Sequence, residues 1–241
     1  PGGASSNRVS FPEVVTLPSN TVVFAGGYNS FNPNLGFGSL LIRYGSEGGE
    51  LHIEGFDPND AYANPGIATF QFTDRTLTYQ ELIDLGFDVS GNNESNVLTG
   101  SSATDRIKAF GGNDTLESGL GADVLEGGQG NDTLRGGMGD DTYVFNVGDG
   151  IDTIQDVAGA GEGNRILFGA GISQSHLTFT RDEAVGTLTI QAGSSGTDQL
   201  VLANFDSTGA NGSLVVGTLV FADGSSMNLA DLFPTAVNHA P

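Results

Sequence analysis

Between residues 96 and 152 a side-chain oxygen recurs at a fixed interval. Asn96, Asp105, Asp114, Asp123, Asp132 and Asp141 stand nine residues apart, and Asp152 follows after a two-residue slip. Carboxylates brought together by a regular repeat repel one another unless a cation lies between them. They are hard oxygen donors, and no His or Cys accompanies them, so calcium suits the set better than zinc. Two places after each lies one large apolar residue: Leu98, Ile107, Leu116, Leu125, Leu134, Tyr143 and Ile154.

Glycine supplies the rest of the pattern. The units GGQGNDTLR (127–135) and GGMGDDTYV (136–144) carry it whole, with Gly127, Gly128 and Gly130, then Gly136, Gly137 and Gly139. SGLGADVLE (118–126) has Ser118 first but keeps Gly119 and Gly121. AFGGNDTLE (109–117) has Ala109 and Phe110 before Gly111 and Gly112, and GSSATDRIK (100–108) keeps only Gly100 and Asp105. VGDGIDTIQ (147–155) retains Gly148, Gly150 and Asp152, while a worn unit, GAGEGNRIL (159–167), has Asn164 in the aspartate place. Glycines at places one, two and four allow tight turns and close backbone approach. The residues around place eight form a short strand with one inward side chain. Turn and strand together predict a coil of two strands per eighteen residues, in which every second turn stacks on the same side. Asp105, Asp123 and Asp141 then line one edge, and Asp114 and Asp132 line the other, with Asn96 at its start. Six inward side chains bury too little to offset the chain entropy of so glycine-rich a coil, which leaves a bound cation as the natural remainder.

The GGxGxDxUx unit resembles the nonapeptide of RTX, or haemolysin-type calcium-binding, proteins. The resemblance covers residues 91–155 and implies a parallel β-roll. It also implies several calcium ions, each between two same-side turns and held by both aspartates and by carbonyls of places one to four. Carried onto this chain, the carbonyl donors are Ala109, Phe110, Gly111 and Gly112; Ser118, Gly119, Leu120 and Gly121; Gly127, Gly128, Gln129 and Gly130; Gly136, Gly137, Met138 and Gly139; and Gly148 and Gly150. The first unit, with Asn96, leaves the site beside Asp114 open.

The flanks repeat one another. GSLLIRYGSEG (38–48) aligns with GTLTIQAGSSG (186–196), LHIEGFD (51–57) with LVLANFD (200–206), TFQFTD (69–74) with TLVFAD (218–223), and NRVSF (7–11) with NRILF (164–168). Each flank reads as short alternating strands and ends in a brief helix signal. Thr78 to Glu81 is a capping box, and Asn228 and Asp231 do the same before Leu232. The expected architecture is all-β, with a central parallel roll (90–158), two homologous β-rich capping domains (1–89 and 159–233) and a linker (234–241).

Acidic residues outnumber basic ones by 29 to 8 in 241 residues, for a formal charge of −21. Such a surface disfavours nucleic acid and anionic membrane as partners. No apolar run reaches the roughly 18 residues of a membrane span. No Gly-x-Ser-x-Gly, His-Glu-x-x-His or Walker pattern is present, and His52, His176 and His239 lack metal-ligand spacing, so a non-enzymatic chain is expected. Asp57-Pro58 resembles the junction at which some RTX proteins cleave themselves, but Asp206 has no proline beside it and a turn is the plainer reading. The expected function is a calcium-binding structural and export module that folds outside the cell. It would belong to a large type I-secreted bacterial surface or secreted protein, adhesin- or toxin-like, beside further extracellular domains. The alternative is a carbohydrate- or surface-binding module of an extracellular polysaccharide-modifying enzyme or hydrolase, whose ligand would be sought at Tyr28, Phe31, Phe37 and Tyr62.

Overall fold

The structure is a computed structural model that describes residues 7–10, 22–24, 38–44, 49–63, 66–71, 76–156, 162–192, 197–205 and 215–233. Tyr28, Phe31, Phe37, Asp206, His239 and the 234–241 tail lie outside the described residues. The chain forms two compact units, residues 1–89 with 99–106, and residues 90–98 with 107–241.

The first unit contains β1 (Asn7–Ser10), β2 (Val22–Phe24), β3 (Gly38–Tyr44), β4 (Gly49–Phe56), β5 (Ile67–Gln71), β6 (Thr76–Thr78), α1 (Tyr79–Ile83) and the start of β7 (Phe87–Asn92). β1 pairs in parallel with β5, which pairs antiparallel with β6, while β2, β3 and β4 form an antiparallel run. Leu40, Ile42, Phe56, Phe70, Leu82 and Phe87 meet in its core. The α1 helix starts at the predicted capping box: the Glu81 N–H donates to Thr78 Oγ1, and the Thr78 N–H donates to Glu81 Oε2 at 2.8 Å. Asp57 caps the short turn Pro58–Asp60 by accepting the Asn59 N–H at 2.9 Å.

The second unit runs through β8 (Val97–Thr99), the end of β9 (Asp105–Phe110), β10 (Thr115–Leu120), β11 (Val124–Glu126), β12 (Thr133–Met138), β13 (Thr142–Phe145) and β14 (Ile151–Ile154). It continues through β15 (Arg165–Phe168), β16 (Thr178–Asp182), β17 (Thr187–Ala192), β18 (Asp198–Leu202), β19 (Thr218–Phe221), β20 (Ser226–Asn228) and α2 (Leu229–Leu232). Successive repeat strands alternate between two parallel sheets. Leu116 pairs with Leu134 and Leu134 with Ile154 in one sheet, and Leu125 pairs with Tyr143 in the other. All five of these side chains are buried, one per nonapeptide. The chain is thus all-β with a parallel β-roll, as the repeat predicts.

The roll does not stop at its last repeat. β14 pairs in parallel with β18, and β13 with β15, which in turn pairs in parallel with β19. Strands of the C-terminal flank therefore continue both sheets of the roll. They carry the same internal pairing as the first unit. β15, β19 and β20 pair as β1, β5 and β6 do, and β16, β17 and β18 as β2, β3 and β4 do. The sequence alignment of the flanks has a counterpart in strand order and direction.

Full burial makes each inward residue costly to truncate. Leu134→Ala, at a position 1% exposed, should lower stability by about 2–5 kcal/mol through lost contacts and a residual cavity. Leu120→Ala, at a place 45% exposed, should stay within about 0.5 kcal/mol. Denaturant unfolding at saturating calcium compares the two.

Candidate metal centre

The repeat aspartates are joined by a ladder of hydrogen bonds that runs in one direction. The Asn96 N–H donates to Asp114 Oδ1 at 2.7 Å, the Asp114 N–H to Asp132 Oδ1 at 2.8 Å, and the Asp132 N–H to Asp152 Oδ1 at 3.0 Å. On the other edge the Asp123 N–H donates to Asp141 Oδ1 at 2.9 Å, and the Asp141 N–H to Asn164 Oδ1 at 2.8 Å. Each carboxylate reaches back to the turn before it on the same side. This is the stacking of alternate turns that the nine-residue spacing requires.

Only one oxygen of each carboxylate is used in this way. The Oδ2 atoms of Asp114, Asp132, Asp141 and Asp152 are buried with no hydrogen-bond donor. Native interiors rarely leave such atoms unmatched, and four on one repeat call for a common partner. Burial raises every one of these pKa values: Asp114 upward, Asp132 to about 6, Asp141 to about 7 and Asp152 to about 8. Neighbouring carboxylates add to it, Asp114 and Asp149 at Asp132, and Asp123, Asp156 and Glu162 at Asp141.

The glycines make room for a partner. A Cβ on Gly127 would stand 2.2 Å from Asp132 Oδ2, and one on Gly136 would stand 2.1 Å from Asp141 Oδ2. At place four, Gly130 has φ +148 and a Cβ there would fall 1.6 Å from the Gly112 carbonyl oxygen. No L side chain fits that approach. Turn carbonyls therefore pack against the next turn, and those of Phe110, Gln129 and Met138 accept N–H groups from Gln129, Gly112 and Gly121. A carbonyl oxygen retains a second lone pair after such a bond. Among the described residues no three Asp, Glu, His or Cys side chains converge as a metal cluster. A gap between two repeat aspartates offers two carboxylates, so backbone oxygen would have to supply the remainder of a six- to eight-oxygen calcium shell.

The sequence-predicted residues fall into three groups. Asp114, Asp123, Asp132, Asp141 and Asp152, with the turns that carry them, are brought together in the second unit. Asp105 lies in the first unit, where its Oδ2 accepts the Ser101 N–H at 2.6 Å and burial raises its pKa to about 7. Asn96 spends its amide locally, accepting the Asn92 N–H at 2.8 Å. Leu200 pairs with Asp152 and ends the aspartate slot on that edge. Asp149 and Asp156 were missed by the repeat reading. Asp149 holds the two-residue slip by accepting the Asn146 N–H at 2.6 Å, and Asp156 lies just past the last full unit. Phe110 has φ +77 in a place that other units give to glycine, a strain of about 1–2 kcal/mol.

The raised pKa values set a pH dependence with a definite sign. A carboxyl whose folded pKa lies above its unfolded value, about 3.9, binds protons more tightly when folded. That contribution to metal-free stability is complete below the unfolded value and is lost as pH rises through about 6 to 8. In chelator, strand content by circular dichroism should be greater at pH 5 than at pH 8.5, and saturating calcium should restore it at the higher pH. More strand at pH 8.5 than at pH 5 in chelator would show that the carboxylates are not buried as described.

Residues 90–125 and 117–154 match the family model of the RTX calcium-binding nonapeptide repeat (4 copies). No curated protein matches the chain. Among solved structures it is similar to the crystal structure of the extracellular lipase LipA from Serratia marcescens, at 16% identity and a TM-score of 0.38. That similarity covers 89% of this chain and 32% of the lipase, so the chain spans about a third of the lipase's length. The ladder of aspartates at 90–154 is an array of RTX-type repeats, and RTX repeats bind calcium.

Proposed function

We propose that the roll takes calcium between successive same-side aspartates and folds as it does so, outside the cell where calcium is plentiful. The observation that carries this reading is the set of donorless, buried Oδ2 atoms on Asp114, Asp132, Asp141 and Asp152. Without a cation, these carboxylates must either be protonated or leave the interior. Binding free energy is then folding free energy, as in other metal-dependent small folds. Asp123 would belong to the same ligand set by its place in the repeat. The module would serve as a structural and export element of a larger secreted or surface protein, adhesin- or toxin-like. Its flanking β-rich segments would act as caps, since an open roll exposes raw sheet ends.

Circular dichroism in chelator and then in millimolar calcium tests the reading. Calcium should convert a partly disordered chain into one rich in strand, with a higher melting temperature; an unchanged signal would sink it. The register makes a finer prediction. Asp132 lies between Asp114 and Asp152 and should serve an ion on each side, whereas Asp152 is followed by Leu200 and should serve one. Asp132→Ala should therefore raise the calcium midpoint for folding more than Asp152→Ala, and Asp57→Ala should leave it unchanged. Equal midpoints for Asp132→Ala and Asp57→Ala would show that the nine-residue register does not build the sites.

A further inference from the structure

One step of the aspartate ladder differs in kind from the others. Asn164 receives the Asp141 N–H on Oδ1 at 2.8 Å, as an aspartate would. Its second polar atom, however, is a donor. Nδ2 donates to Asp156 Oδ2 at 2.9 Å and to the Val215 carbonyl at 3.1 Å. Asp156 also accepts the Tyr143 hydroxyl at 2.5 Å on Oδ2 and the Gly137 N–H at 3.0 Å on Oδ1. The Tyr143 oxygen in turn accepts the Gly136 N–H at 3.0 Å. Asn164, Asp156 and Tyr143 are 1%, 2% and 0% exposed, so the three side chains of the network are buried.

We propose that Asn164 is the end-stop of the calcium column on this edge, and that the gap between the Asp141 and Asn164 turns takes no ion. An amide N–H₂ aimed at the place where other turns leave a carboxylate oxygen repels a cation. Both hydrogens of that amide and its oxygen are engaged, so no rotation frees an acceptor without breaking a buried bond. The Asn164 amide, the Tyr143 hydroxyl and the Gly137 N–H all donate to the Asp156 carboxylate. Tyr143 takes part because it alone among the inward residues carries a hydroxyl, and a leucine there could not reach Asp156. Asp141 thus serves only the ion it shares with Asp123.

This inference rests on calcium filling the carboxylate gaps, and the test separates the two. Bound calcium is counted by calorimetry and atomic emission on the full chain at saturation, with circular dichroism confirming folding. Asn164→Asp places an oxygen about where Nδ2 lies, 2.9 Å from Asp156 Oδ2, a carboxylate pair that a cation would bridge. It should bind one ion more than the wild type. Asn164→Ala and Asp156→Asn should keep the wild-type count, with lower melting temperatures. Loss of an ion in either would make that residue a ligand and overturn the proposal, even where Asn164→Asp fails to fold. A folded Asn164→Asp that gains no ion overturns the end-stop alone. A wild type that binds no calcium overturns the calcium reading and the end-stop together.

Discussion

The structure depends on a carboxylate that has two duties and is buried for both. One oxygen accepts a backbone N–H from the preceding same-side turn, which holds neighbouring turns in register. The other is left without a donor in a dry interior. Burying a charge in this way costs several kcal/mol unless an opposite charge comes with it. The first duty asks for a short side chain with an acceptor, and asparagine meets it as well as aspartate. The second asks for negative charge, and asparagine fails it. On the reading proposed above, that distinction separates the turns that would hold an ion from those that would not.

The rest of the roll follows from keeping these carboxylates in line. Each nonapeptide turns one large apolar residue inward, and Leu116, Leu125, Leu134, Tyr143 and Ile154 follow one another along the core. Such a core tolerates little variation in what lies inside but accepts length changes outside. The aspartate step is eighteen residues at Asp114 to Asp132, twenty at Asp132 to Asp152 and twenty-three at Asp141 to Asn164. In each case the hydrogen bond is kept. The extra residues are absorbed between strands, at the first slip by the Asn146–Asp149 turn, whose side-chain bonds replace those of a glycine-rich one. Across the outer face, ion pairs also step by one turn, Lys108 to Glu126 and Glu117 to Arg135. Exposed as they are, these pairs add little to stability and chiefly mark the register.

Much of this was legible because it is periodic. The aspartates, the inward residues and the alternation of sheets each occupy one place in a nine-residue unit, so their neighbours in space are neighbours in the repeat. Asp156 and Val215 lie outside the period, and nothing in their sequence context marks them as partners of Asn164. The continuation of both sheets into β15, β18 and β19 was hidden for a related reason. β18 reaches the roll only after an antiparallel excursion through β16 and β17, and such a detour has no sequence period. Phe110 occupies a place that most full units give to glycine. Its left-handed backbone is held by the turns on either side, and its half-exposed ring lies 5.4 Å from the Lys108 ammonium. The spacing of the slot proved more binding than the residue type within it.

A ladder with a direction must end differently at its two ends. In the ladder each N–H to side-chain bond runs from an earlier turn to a later one, so the first turn needs nothing from an upstream aspartate. Asn96 accordingly gives its N–H to Asp114 and turns its own amide to Asn92. The last turn on each edge has the reverse problem: it must hand its N–H onward with no further repeat to receive it. On the Asp141 edge an amide receives it, and the spare donor that comes with an amide is absorbed by Asp156 and Val215. On the Asp152 edge the slot is filled by Leu200, and backbone pairing of β14 with β18 takes over from side-chain bonding. Asn164 and the C-terminal strands therefore complete a hydrogen-bond sequence that the full nonapeptides begin.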